Sequence, residues 1–341
     1  MFPVLKNNSV LQTSGAEITW RPTCNIADLR LRAQLLAATR AFFASRSVLE
    51  VETPVLAPAT GTDPQLAFFE THYQFGKEQQ TLFLQTSPEF AMKRLLAAGS
   101  GSIFQICKAF RNGEAGRFHN AEFTLLEWYR IGFDLSQLME EVAQLFGCWF
   151  ATYQPLRPTQ KNTYSEVFKR YTGLDALCFD FEAYSTYALA QNLTDAVRIC
   201  GHEHSLWLDF LFSLQVQPHL GSNHLEMVYA YPACQASLAR LNQQDSRIAE
   251  RVELFMHGIE LGNGFFELND ADEQEQRFEN EQALRRQKKL PSVAKDLKFL
   301  AALQSGLPDC AGIAIGLDRV LMLLSGNESI EHVLSFSRYR V

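Results

Sequence analysis

An α+β fold, with a mostly antiparallel mixed sheet flanked by helices, is predicted by three features of this chain. Residues 103–130 and 251–268 both read as β-hairpins, since period-two alternation of aromatic and aliphatic residues runs up to short breaker segments. Segments of helical periodicity precede, separate and follow them. The 341 residues are 47% hydrophobic and 12% aromatic, enough for a substantial core, and the length alone suggests about two domains.

Composition excludes several classes. A net charge of −7 argues against non-specific nucleic-acid binding, which needs a basic face to neutralise phosphates, and no stable tRNA binding is expected. Seven cysteines, odd in number and without CxxC spacing, fit reduced thiols better than a disulfide framework. The HEH tripeptide at 202–204 has no partner for a metal cluster. The N-terminus lacks a basic region followed by an apolar one, and no run approaches the length of a membrane span, so the expected location is cytoplasmic with no membrane partner.

The elements follow in order. Residues 1–24 are polar and aperiodic, and read as an N-terminal arm. From Ile26, residues Leu29, Ala33, Leu36, Ala37 and Phe43 recur near the helical period, with Asn25 as N-cap. Val48, Leu49, Val51 and Val55 suit a strand that Pro54 brings to an end. Further strands are expected at 68–75 and 82–84. Ser87 then stands as N-cap, Pro88 at the first helical position and Glu89 in the first turn. After the central hairpin, 134–150 is an amphipathic helix, 155–158 a proline-containing break, and 163–224 a mainly helical insertion ending in a Pro/Gly/Asn-rich stretch. A strand is expected at 225–231, a charged helix with a solvated face at 270–290, and a strand leading into an apolar helix at 311–326.

Two stretches carry chemistry. In the hairpin at 103–130, Phe123, Leu125, Glu127 and Tyr129 share one face, presenting a flat ring, a carboxylate and a phenol. Arg111, Arg117 and His119 cluster at its loop, and guanidinium suits phosphate through bidentate hydrogen bonds. In the second hairpin His257-Gly258 forms the turn, Phe255 pairs with Glu260, and Glu253 lies on the same face. Two carboxylates aimed at one spot repel unless a cation joins them, and magnesium takes hard oxygen ligands together with phosphates.

The string FRNGEAGRFHNAEF at 110–123 resembles motif 2 of class II aminoacyl-tRNA synthetases, most closely the lysine-specific branch. Helix, strand and proline at about 40–56 resemble motif 1, and the Gly312, Ala314, Gly316 rhythm with Asp318-Arg319 resembles motif 3 at about 312–324. The resemblance implies a class II catalytic core over 25–341 and a homodimer built through motif 1. It also implies ATP as co-substrate, held by Arg111, Asn112, Gly113, His119, Asn120, Phe123, Glu260, Leu261, Gly316 and Arg319. Arg111 and Arg319 take the catalytic roles on the α- and γ-phosphates, and Glu253 and Glu260 hold Mg²⁺. The amino-acid pocket would comprise Ser87, Pro88, Glu89, Glu127, Tyr129, Asn263, Phe265, Glu267 and Ala314, with Asn120 at its edge. Asn263, Gly264 and Phe265 would form a turn against the substrate carboxylate, and 231–241 would line the floor.

Departures from the family refine the expectation. Conventional lysine enzymes have Ala where Ser87 stands and Gly where Ala314 stands, and Gly113 interrupts the usual Arg-Asn-Glu after Arg111-Asn112, leaving Glu114 as a substitute. Motif 1 begins near residue 40, which leaves no room ahead of it for an anticodon-binding domain. Ser87, Ala314 and QASLA at 235–239 resemble the truncated lysine-enzyme paralogues that activate (R)-β-lysine and transfer it to a lysine of translation elongation factor P. Aminoacylation of tRNA or a small molecule with lysine is the alternative. A non-catalytic regulatory paralogue is disfavoured, because Arg111, Glu253, Glu260 and Arg319 are all present.

Overall fold

The computed structural model describes residues 20–151, 155–338 and 340. Most of the expected arm at 1–24 lies outside them. Residues 20–24 have no regular structure, and Thr23 and Cys24 hydrogen-bond the carbonyls of Ser335 and Leu334. Helix α1 (Ile26–Ala44) starts where Asn25 caps it, its side chain accepting from the Asp28 amide at 2.8 Å. The strand expected across 48–55 is reduced to β1 (Leu49–Glu50), and β2 (Leu56–Ala57) resumes beyond Pro54, which has no amide for a ladder. Strands β3 (Glu70–Phe75) and β4 (Glu78–Leu84) pair with β2 in a small exposed sheet of order β2-β4-β3. Helix α2 (Glu89–Ala97) begins one residue later than expected, with Pro88 at the cap position. The Ser87 hydroxyl nevertheless accepts from the Glu89 amide at 3.1 Å.

The long hairpin forms as β5 (Ile103–Phe110) and β6 (Glu122–Ile131), followed by α3 (Leu135–Phe150) with a full capping box between Asp134 and Gln137. Strand β7 (Arg157–Thr163) replaces the expected break. Its polar sequence carries no alternation, and it is an outermost strand, where a proline is tolerated. Helices α4 (Tyr164–Thr172), α5 (Phe181–Ala190), α6 (Ala196–Cys200) and α7 (His204–Leu211) follow, then β8 (His224–Pro232), β9 (Ile248–Met256) and β10 (Ile259–Phe266). Helices α8 (Ala271–Gln287) and α9 (Leu297–Gly306) precede β11 (Cys310–Gly316) and α10 (Leu317–Ser325). Helix α8 carries a Glu273–Arg277 ion pair as a solvated helix should, yet it also buries Gln274, Phe278 and Arg285. No described helix is long and apolar enough to cross a membrane.

One eight-stranded sheet organises the molecule, in the order β1-β5-β6-β11-β10-β9-β8-β7. Its outer pairs β1/β5 and β7/β8 are parallel, and the pairs between them antiparallel. The pleat sorts side chains to two faces. Phe104, Leu126, Trp128, Ile313 and Ile315 pack with α1, α3 and α10 through Phe43, Leu138, Phe146 and Leu321 in the main core. The opposite face is covered at one side by Met92, Phe278 and Phe299 of α2, α8 and α9, and at the other by Tyr164, Trp207 and Phe212 of the 164–220 region. Between these two packed clusters the face stays open.

Candidate active site

The open face holds a cavity of about 380 Å³, of the size of small-molecule clefts. Strand β6 supplies Phe123, Leu125, Glu127 and Tyr129, the alternation read from the sequence. Strand β11 lies alongside with Gly312 opposite Tyr129, Ala314 opposite Glu127 and Gly316 opposite Leu125. A Cβ at Gly312 would sit 2.3 Å from the Tyr129 ring and 2.7 Å from Glu267 Oε1, so only glycine lets those two groups converge. Strand β10 adds Glu260, Asn263 and Phe265, and just past its end Glu267.

Glu260 and Asn263 are an odd number of residues apart, which in a regular strand would place them on opposite faces. A bulge between Glu260 and Gly262 shifts the register, so that Glu260 stays opposite Phe255 while Asn263 faces Glu253, and both reach the cavity. Asn263, Gly264 and Phe265 therefore lie within a strand and not in the turn the sequence suggested. Gly264 turns to the other face, where a Cβ would meet Gly312 O at 2.8 Å.

The cationic end is built from two motifs. Arg111 lines the cavity with its guanidinium 5.1 Å from the Phe123 ring centroid and 3.7 Å from Glu114, while its buried Nε has no hydrogen-bond partner among the described residues. A guanidinium at a cavity wall, its side chain 35% exposed and only loosely paired with Glu114, fits an anionic ligand. Arg319 donates to Glu260 O at 2.6 Å, to Phe118 O at 3.1 Å and to His119 Nε2 at 2.8 Å. A guanidinium has donors only, so His119 must accept at Nε2 and carry its proton on Nδ1. Burial, and then the charge of Arg319, hold the His119 pKa below the usual histidine range. The next-door Asp318 accepts from the Thr124 amide at 2.7 Å and pairs with Arg32, which pins the start of α10 to β6 and α1.

The other end is acidic. Glu127 accepts from Tyr129 Oη and from Ser87 Oγ, each at 2.7 Å. Glu89, Glu127 and Glu267 all line the cavity, and beneath them Lys93 meets Glu89 Oε1 and Glu267 Oε2, each at 2.6 Å. Burial, reinforced by Glu89, pushes Glu127 up to about 7. Burial also pushes Glu267 up to about 8, against the pull of Lys93. The Lys93 ammonium shifts the other way from a buried amine: burial opposes its charge, but Glu267 and Glu89 outweigh that and raise its pKa. Burial raises the acids, and the convergence of Glu89 and Glu267 on one ammonium raises the lysine.

Several expected residues stand elsewhere. Glu253 shares the face with Glu260 but is not at the cavity wall. One of its oxygens pairs with Arg251, the other accepts from Tyr231 Oη at 2.6 Å, and burial first, then Glu260, raises it to about 7 despite Arg251. Of the pair expected to hold one ion, Glu260 lines the cavity and Glu253 lies behind it on the same face, close enough for their charges to interact. Asn112 and Gly113 are not at the cavity wall, and Asn112 donates to the carbonyls of Ala67 and Phe68. Pro88 caps α2 outside the cavity, and Arg117 donates to Glu328 O. No residue of 231–241 lines the cavity, although Ala236 and Ala239 pack behind Phe265.

Sequence reasoning missed Phe118, Gly262 and Ile330 at the wall, and Lys93 and Arg251 behind it. Arg251 donates to Asn263 Oδ1 at 3.1 Å, which leaves the Asn263 amide nitrogen as a donor for the cavity. For Lys93 the available signal was its position four residues after Glu89 on a predicted helix.

Residues 18–340 match the family of tRNA synthetases class II (D, K and N). The chain is also similar to curated proteins named elongation factor P--(R)-beta-lysine ligase. That of Histophilus somni (strain 2336) is 46% identical over 322 residues, covering 93% of this chain and 97% of its own. Those of Salmonella dublin and Salmonella enteritidis PT4 are 44% identical over 321 residues, with 94% and 97% covered. A shared cavity that joins motif 2 and motif 3 arginines to a buried acidic pocket, and a family match along nearly the whole chain, lead to one statement: this protein belongs to the class II aminoacyl-tRNA synthetase family.

Proposed function

We propose that this protein is an ATP-dependent ligase that activates (R)-β-lysine as an adenylate and transfers it to the ε-amino group of a lysine on translation elongation factor P. Family membership implies ATP use, and the names of the similar proteins supply the acceptor. The observation that carries the reading is the polarity of this cavity. Arg111 and Arg319 stand at one end and Glu89, Glu127 and Glu267 at the other, fitting a polyanion joined to a cationic amino acid.

In the first step a carboxylate oxygen of the amino acid attacks the α-phosphorus, the bond to the β-phosphate breaks, and pyrophosphate leaves. Arg111 at the wall offsets charge growing on the α-phosphate, Arg319 holds the terminal phosphate, and Phe123 offers its ring to adenine. Asn263, aligned by Arg251, donates to the reacting carboxylate, while Glu89 and the Glu127–Tyr129–Glu267 group take the two ammonium groups. Glu260 at the wall, with Glu253 behind it on the same face, would hold Mg²⁺, which would supply positive charge against the phosphates. In the second step the acceptor amine attacks the acyl carbon, the acyl–phosphate bond breaks, AMP leaves and the nitrogen loses a proton. A homodimer through about 40–56, a cytoplasmic location and a single catalytic domain over 25–341 complete the proposal.

Pyrophosphate exchange tests the activation half. Exchange with (R)-β-lysine exceeding that with α-lysine is expected. Equal or greater exchange with α-lysine, accompanied by charging of tRNA, would move the reading to a lysyl-tRNA synthetase-like activity.

A further inference from the structure

We propose that Lys93 is a positioning residue of the diamino-acid pocket, a built-in ammonium that locks Glu89 and Glu267 at a fixed spacing and sets the pocket to accept two further positive charges. The inference deepens the function proposed above and rests on it.

Geometry carries it. The Lys93 side chain is 1% exposed and lies outside the cavity wall, whereas Glu89 and Glu267 both belong to that wall. It takes only Oε1 of Glu89 and only Oε2 of Glu267, from below. The other Glu267 oxygen lies on the Gly312 side, where glycine keeps the wall clear. Glu89 comes from α2 and Glu267 from beyond the end of β10, so Lys93 is the tie between two elements distant in sequence. Phe299 of α9 backs the ammonium at 5.8 Å from its ring centroid and closes the underside.

Charge counting then selects the ligand. With a ligand bound and all three ionised, Glu89, Glu127 and Glu267 bring three negative charges and Lys93 one positive, leaving a shortfall of two. An amino acid with one ammonium leaves the buried site unbalanced, and one with two neutralises it. The other groups facing this cluster do not alter the count. Tyr129 stays protonated and donates to Glu127, Cys310 of β11 is held as a thiol by burial, and the Arg240–Asp309 pair cancels itself. Without Lys93 the shortfall becomes three, and a carboxyl must keep its proton in the bound state.

The test uses the full chain with Lys93→Met and Lys93→Arg, measured by pyrophosphate exchange from pH 6 to 9 with ATP and (R)-β-lysine. Lys93→Met is expected to raise KM for (R)-β-lysine about tenfold or more, to leave KM for ATP within about twofold, and to move the pH at which KM falls upward by about one unit, the scale of a single lost charge partner. Lys93→Arg keeps the charge and should retain the wild-type pH profile. Should Lys93→Met not fold, the Lys93→Arg profile decides: a profile displaced from wild type overturns the assignment. It is also overturned by an unshifted Lys93→Met profile, or by equal rises in KM for both substrates. No exchange by the wild-type protein with either diamino acid overturns instead the reading of the pocket on which this rests.

Discussion

Glu127 and Glu267 are held near 7 and 8 by burial, so the ligand-free protein keeps protons that an unfolded chain would release above pH ~4.3. A carboxyl with a raised folded-state pKa stabilises less as pH climbs, and this loss runs from the unfolded value up through about 7 and about 8. An ammonium ligand reverses the imbalance. The melting-temperature gain from (R)-β-lysine should therefore grow between pH 6 and pH 8, and scanning calorimetry at fixed ligand concentration checks it. A gain that shrinks with pH would mean that the acids are not what the ligand neutralises. At the opposite end, Arg319→Ala removes a side chain whose guanidinium bridges Glu260 O, Phe118 O and His119. The expected result is a kcat for exchange lower by about a hundredfold or more, with KM for the amino acid changed only a few-fold, because the loss falls on phosphate charge in the transition state. Steady-state exchange kinetics separate the two.

At the scale of elements, strands β6, β10 and β11 act as one surface, and their spacing depends on small residues. Gly312→Ala would drive a methyl into Tyr129 and Glu267, and should destabilise by about 1–3 kcal/mol while weakening amino-acid binding. Thermal melting and KM together check it, and an unchanged KM would place the ammonium pocket elsewhere. The alternation along β6 was legible in the sequence because a long, half-buried strand with one chemical face obeys a strict period of two. The second hairpin was legible in its turn, where His257 and Gly258 take φ of 52° and 72° and Phe255 does pair with Glu260. Its bulge was not, since one extra residue leaves no mark on composition, and so Asn263 read as part of a turn. Strand β7 was hidden for another reason: a polar edge strand carries no hydrophobic pattern. Lys93 escaped notice because only one of its two partners, Glu89, is near in sequence, and a buried lysine announces itself only once the fold brings Glu267 to it.

For the molecule as a whole, the sheet separates duties. Helices α1, α3 and α10 seal one face with the main core, while α2, α8 and α9 on one side and the 164–220 helices on the other leave an open basin between them on the opposite face. Arg111, Glu260 and Arg319 come from three segments and meet there, which motif reading anticipated and which only the fold can bring about. Leu49, Val55 and Leu56 remain 54%, 37% and 43% exposed beside β1 and β2. An apolar strip there is what a dimer through about 40–56 would cover. Light scattering should then return twice the mass of the chain, and Leu49→Asp together with Leu56→Asp should halve it. A single-chain mass for the unaltered protein would contradict the dimer. The central claim, that one cavity couples a nucleotide to a diamino acid for transfer to a protein amine, is tested most directly by the intact mass of elongation factor P after incubation with this protein, ATP and (R)-β-lysine. The account predicts a gain of one lysyl residue that disappears without ATP, and an unchanged mass in the complete mixture would contradict it.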